Sequence, residues 1–259
     1  MKKSILALGV SLAALLLSGV SATAATYTSQ GYTGQGYDAS RYQCSGGKPA
    51  PLDSNYISFG IIRVTGGRPF TADSCRQALW NAAENESPPE AEAPSLYLNV
   101  AYSGAYGKDV VSGTYCAGVT SASYTGSYLK AYRIGCAEGD YAYNHAPIVE
   151  SGQTANQMWW LDVETANSWS SSDKVLNQAA IDGAADRLVQ IAGLPVGIYS
   201  DAYYWNAITT GSGYAPAKAS ATWVTSSTAC GSSFIASLPQ LIRQSGLTAT
   251  GYDADYACP

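Results

Sequence analysis

Two carboxylates stand two residues apart in Asp162-Val163-Glu164, at the end of a run that opens Met158-Trp159-Trp160-Leu161. The apolar residues ahead of them read as a buried strand. Side chains at i and i+2 of a strand point the same way, so Asp162 and Glu164 share a face with Cα atoms about 6.6 Å apart. Two carboxylates this close in a partly apolar setting cannot both ionise freely, and at least one pKa must rise. A proton-bearing carboxyl beside an ionised one is what glycoside hydrolysis uses. The acid protonates the leaving oxygen while the negative charge supports an oxocarbenium-like transition state. The tripeptide alone is a weak signal that reads more readily as an ordinary polar strand end before a loop, so its weight depends on its surroundings.

Other chemistries find few residues to work with. His145 is the only histidine, set among Tyr and Asn in what reads as a loop, and there is no G-x-S-x-G elbow for a serine nucleophile. No C-x-x-C pair is present, and neither a metal nor a cofactor is expected. Charged residues make up 13% of the chain and the formal net charge is −5, which leaves no basic patch for nucleic acid. Twenty tyrosines and six tryptophans stand against three phenylalanines. Such rings suit either a sparsely charged soluble surface or a groove that receives sugars.

The chain opens Met1-Lys2-Lys3, continues through an apolar run from Ile5 to Val20, and then meets Ser21-Ala22-Thr23-Ala24-Ala25. A basic start, an apolar middle and an A-x-A exit describe a secretory signal peptide over residues 1–24. The apolar stretch is near the lower limit for a membrane span, so stable membrane insertion is not expected. Six cysteines in the remainder, an even number, agree with an oxidising compartment. Fifteen pairings are open; the expectation is that sequence neighbours join, Cys44 with Cys75, Cys116 with Cys136, and Cys230 with Cys258, the last tying the C-terminus to a loop.

Residues 25–35, rich in Tyr, Thr, Gly, Ser and Gln, read as a flexible arm. Residues 36–259 form one domain, expected to be a monomer. Strands are predicted over 56–65, 95–102, 158–164, 195–200, 219–225, 238–244 and 251–256. A helix over 72–85 takes Thr71 as its N-cap; another over 172–192 takes Ser171 or Ser172, with Gly193 closing it in a left-handed conformation. The stretch 103–156 reads as a long excursion with a short helix near 123–135. Strand and helix alternating, then closely spaced strands, argue for an α/β barrel, whose chemistry gathers at the C-terminal ends of its strands.

Several segments resemble glycoside hydrolase family 25, the lysozyme-like muramidases. Gly36-Tyr37-Asp38-Ala39-Ser40-Arg41-Tyr42-Gln43 is similar to that family's G-I-D-V-S-x-[WY]-Q opening. Phe59 to Gly67 resembles its second strand, which ends in K-A-T-E-G, and Leu161-Asp162-Val163-Glu164 matches its D-x-E strand. Leu194 to Ser200, Trp223, Gln244 and Gly251-Tyr252-Asp253 follow in the family's order, spanning Gly36 to Asp253. The resemblance implies a TIM-like, eight-stranded barrel whose last strands lack regular intervening helices. It implies cleavage of the β-1,4 bond between N-acetylmuramic acid and N-acetylglucosamine in peptidoglycan. Glu164 is then similar to the general acid/base, and Asp162 to the residue that stabilises the substrate's N-acetyl group as it attacks. Asp38 and Asp253 line the same groove, and Tyr199, Trp223, Trp160 and Gln244 contact sugar.

Departures from the family pattern are concentrated around the groove. Gly66 replaces a Glu, the third strand reads Leu98-Asn99-Val100-Ala101-Tyr102 where an aromatic–His pair is usual, Val224-Thr225-Ser226 follows Trp223, and Asp253-Ala254-Asp255 replaces a D-x-N. They leave the proposed catalytic carboxylates in place. They also keep open the alternative of a non-catalytic glycan-binding or cell-surface domain on the same barrel, and an acidic protein is not drawn to an anionic wall.

Overall fold

The computed structural model describes residues 31–85, 93–102, 111–149 and 157–259. Eight strands close a barrel: β1 (Gln35–Ala39), β2 (Gly60–Arg63), β3 (Ser95–Asn99), β4 (Trp159–Asp162), β5 (Val196–Ser200), β6 (Ala219–Val224), β7 (Gln240–Leu247) and β8 (Asp253–Ala257). Neighbours from β1 to β7 run parallel, and β8 alone runs antiparallel to both β7 and β1. Parallel neighbours need a crossover, and α1 (Arg76–Glu84), α2 (Gly126–Asn144), α3 (Lys174–Ala192) and α4 (Ala202–Ile208) supply those from β2 to β6. The expected barrel is therefore present, and no α-helix intervenes after β6.

Alternation along the strands sorts the side chains into two shells. Ile62, Leu96, Leu98, Trp159, Leu161, Val196 and Ile198 face the helices and build the outer core. Ile61, Tyr97, Trp160, Tyr199, Trp223 and Ile242 fill the barrel interior. At the base, Tyr32 donates or accepts at Ser95 Oγ across 2.5 Å, and its hydroxyl accepts from Trp160 Nε1 at 3.1 Å. The flexible arm expected over 25–35 therefore does not extend to its described end: Tyr32 is buried and β1 begins at Gln35. The signal-peptide segment lies outside the described residues.

The helices differ from their sequence limits for identifiable reasons. The helix expected near 123–135 runs from Gly126 to Asn144 and packs along α3. Gly135 and Gly183 make that possible: a Cβ at Gly135 would lie 1.7 Å from Ala180 O, and one at Gly183 2.0 Å from Tyr132 O. Close backbone approach overrides the low helix propensity of glycine. His145 is the residue that ends α2, not a loop residue, with its ring stacked on Tyr141. Asp173 caps α3 by accepting from Val175 N, displacing the two serines expected there, and Gly193 ends α3 at φ 66° as expected. Thr71 caps nothing; α1 starts after Cys75, whose N–H is taken by Asp73 at 2.9 Å. The three expected disulfides are all present.

Candidate active site

The interior shell changes character at the end where β1 to β7 finish. One step beyond the Trp160 layer on β4 comes Asp162, and one step beyond Tyr97 on β3 comes Asn99. On β2, Arg63 follows Ile61; on β1, Asp38 follows Gly36. Because β8 is antiparallel, its first residue, Asp253, pairs with Asp38 at this same end. These side chains and Glu164, Tyr199, Trp223 and Gln244 line a cleft of about 340 Å³, with Tyr42 exposed at its edge.

Hydrogen bonds hold the walls. Asn99 Nδ2 donates to Asp162 Oδ2, and Thr65 Oγ1 donates to Asn99 Oδ1 at 2.9 Å. Gln244 Nε2 donates to Asp38 Oδ2 at 2.6 Å, while the Tyr199 and Thr225 hydroxyls each donate to Gln244 Oε1 at 2.8 Å. Arg63 is the cation of the cleft, anchored through Nε to Asp73 at 3.0 Å. Trp223 Nε1 donates to Asp255 Oδ1 at 2.8 Å.

Electrostatics favour retained protons. Burial, then the Glu164 charge, raises Asp162 well above the carboxylate range, and Arg63 opposes them. Burial, then Asp253, does the same to Asp38 against Gln244 and Arg63. Glu164 is raised by burial and then by Asp201. Burial raises Asp253. Glu164 is the less buried member of the D-x-E pair, so it combines an elevated pKa with access to a bound molecule. The arrangement provides two neighbouring carboxyl groups that hold a proton between them, with a cation and an amide beside Asp162. That is acid/base chemistry on a neutral acceptor oxygen.

The structure brings together seven of the eight site residues expected from sequence: Asp38, Asp162, Glu164, Tyr199, Trp223, Gln244 and Asp253. Trp160 is the correction. It is fully buried one layer below the cleft, its ring over Gly197, where an added Cβ would lie 2.2 Å from the ring. It fills the barrel rather than meeting sugar. Arg63, Asn99 and Tyr97 also line the cleft and were not anticipated as site residues, although Arg63 and Asn99 obey the strand-end rule that singled out Asp162. Within the excursion expected over 103–156, residues 111–149 carry a 3₁₀ turn at Tyr115–Gly118 and α2, and none of them lines the cleft. Residues 103–110 and 150–156 lie outside the described residues.

Comparison with solved structures returns muramidase folds. A muramidase from Trichobolus zukalii superposes with a TM-score of 0.57 at 17% identity, covering 88% of this chain and 94% of that one. A muramidase from Acremonium alcalophilum gives 0.59 at 12% identity, covering 87% and 94%. A family 25 lysozyme from Aspergillus fumigatus gives 0.57 at 14% identity, again over 87% and 94%. At these identities the likeness is one of fold. No curated protein matches the chain by sequence. The family model described as Lysozyme-like protein 1 matches residues 95–234, more than half of the chain, from β3 through β6 and including the D-x-E strand. The chain belongs to the lysozyme-like protein 1 family and is by that membership a glycoside hydrolase of the lysozyme type.

Proposed function

We propose that the mature chain is a secreted muramidase, acting as a monomer on bacterial peptidoglycan at the β-1,4 bond between N-acetylmuramic acid and N-acetylglucosamine. The observation that carries this reading is the convergence of Asp38, Asp162, Glu164 and Asp253 on one cleft at the end where β1 to β7 finish. The signal-peptide pattern and three disulfides support export, and no described helix is long and apolar enough to cross a membrane.

In this reading the resting Asp162/Glu164 pair shares a proton. A bound acetamido N–H that donates to Asp162 stabilises its anion, as Asn99 and Arg63 already do, and leaves the proton on Glu164. Glu164 then protonates the glycosidic oxygen as the C–O bond breaks. The acetamido oxygen closes on the anomeric carbon, and the Asp162 carboxylate balances the positive charge that forms. Water next attacks that carbon and gives its proton to Glu164, restoring the acid, while the bond from the carbon to the acetamido oxygen breaks and the acetamido group is regenerated. Trp223 and Tyr199 supply the ring surfaces of the floor and wall.

The test is the identity of the new reducing end. Purified peptidoglycan is digested, reduced with borohydride and analysed by mass spectrometry. Reduced muramic acid ends are expected. Reduced glucosamine ends would move the cut to the other bond. No new ends from a protein that still binds the polymer would favour the glycan-binding alternative.

A further inference from the structure

Asp255 is fully buried beneath the cleft, on β8 next to β7 and β1. One of its oxygens accepts the Trp223 indole N–H; Oδ2 meets no N–H or O–H donor among the described residues. The side chain instead lies against the Asp38 carboxyl. Register explains this: Asp255 pairs with Gly36 and Asp253 with Asp38, so Asp255 and Asp38 share the inner face one diagonal step apart. Asp38 already accepts from Gln244, whose own oxygen is taken by Tyr199 and Thr225. Two buried carboxyl groups set side by side on one face of the barrel are favourable only with a proton between them.

We infer that Asp255 is a positioning residue that carries a proton and donates it to Asp38, completing a hydrogen-bonded chain from Trp223 through Asp255, Asp38 and Gln244 to Tyr199. This chain links β8, β6, β1, β7 and β5, so it sets where the Asp38 carboxylate and the Trp223 and Tyr199 rings meet the ligand. Burial and the Asp38 charge, which push the Asp255 carboxyl upward, agree with the geometry. The titratable groups that face Asp255 are Asp38 and, on its own strand, Asp253; Arg63, Glu164, Tyr97 and Tyr199 surround its partner Asp38. Of these only Arg63 is cationic, and it is already tied to Asp73. An amide at this position offers the same shape with an N–H in place of the carboxyl O–H.

The kinetic consequence rests on the muramidase reading; the hydrogen-bond assignment does not. The experiment compares the mature parent with D255N and D255A. It records kcat and KM on peptidoglycan from pH 4 to 9, and the ¹⁵N–¹H resonance of the Trp223 indole, identified by its loss in W223F. D255N is expected to hold kcat within about threefold of the parent at acidic pH and to carry activity to higher pH, because its amide does not lose the donated hydrogen. D255A is expected to lose about ten- to hundredfold in kcat at every pH through misplacement of the wall. The Trp223 indole resonance should move with pH in the parent and stay fixed in D255N. The proposal is overturned if D255N loses as much as D255A, if both match the parent, or if the alkaline limb does not move. If no variant cleaves peptidoglycan, the resonance decides alone. A step present in the parent and absent from D255N supports the shared proton; a parent resonance without a step refutes it.

Discussion

Two regions of the molecule are rich in acid drawn wholly or partly out of solvent, and they differ in how that acid is satisfied. On the outer flank, three carboxylates along α2 and α3 each have a side-chain donor. Asp182 accepts from the Tyr124 hydroxyl at 2.6 Å and the Tyr214 hydroxyl at 2.9 Å, Asp186 accepts from Tyr132 at 2.6 Å, and Asp140 pairs with Arg187. In the cleft, Asp162 Oδ1 and Asp255 Oδ2 have no donor among the described residues and stand beside other carboxyl groups. The flank is a finished network that joins two helices. The cleft is an unfinished one that can receive a ligand's donors and pass on a proton. Buried acid alone does not mark a site; incomplete hydrogen bonding around a cavity does.

Substitutions should separate the two regions, and the largest effect belongs to the cleft. Glu164→Gln removes the proton and keeps the shape, so kcat should fall by about 10²–10⁴ with melting temperature no lower than the parent's, as read by initial rates and circular dichroism. In the proposed mechanism, Asp162→Asn removes the charge that balances the acetamido step. A loss of about tenfold to a hundredfold in kcat is expected, with glycan binding retained in a pull-down. A fall in affinity alone would show that Asp162 only holds substrate.

On the flank the consequence is stability. Burial pushes Asp182 up to about 6 despite its two tyrosine donors. Its folded pKa exceeds the ordinary value of 3.8, so the folded state binds more protons, and its contribution falls as pH rises from about 4 to about 6. Asp182→Asn should therefore melt higher than the parent at pH 7.5, by up to about 3 kcal/mol, and match it near pH 4, with kcat unchanged at both. The smallest effect is expected at the barrel base. Trp160→Phe loses the bond to Tyr32 and should cost about 1 kcal/mol in chemical denaturation while leaving KM alone. A rise in KM would return Trp160 to the sugar-binding surface.

The D-x-E pair was readable because its chemistry needs two adjacent carboxylates on one strand face, and local spacing records that. Strand order was readable through apolar runs, and the resemblance to family 25 placed Asp38 and Asp253, which no local pattern joins: they are neighbours only because β8 runs backwards along β1. Trp160 was misread because residues two apart on β4 share a face but not a depth. The same inward direction puts Asp162 in the cleft and Trp160 in the packed layer below it. Asp255 was visible only as a departure from the family's Asn, since its partners Trp223 and Asp38 lie 32 residues before it on one side and across the barrel closure on the other. The length of α2 was hidden by glycines that reduce helix propensity in isolation but let two helices touch.

The most direct test of the cleft's role is release of reducing ends from purified peptidoglycan by the parent, Glu164→Gln and Asp182→Asn proteins side by side. Release by the parent and by Asp182→Asn, with none from a folded Glu164→Gln that still binds the polymer, is the expected result. Undiminished release by Glu164→Gln, or its loss in Asp182→Asn, would contradict the division between a reactive cleft and a structural flank.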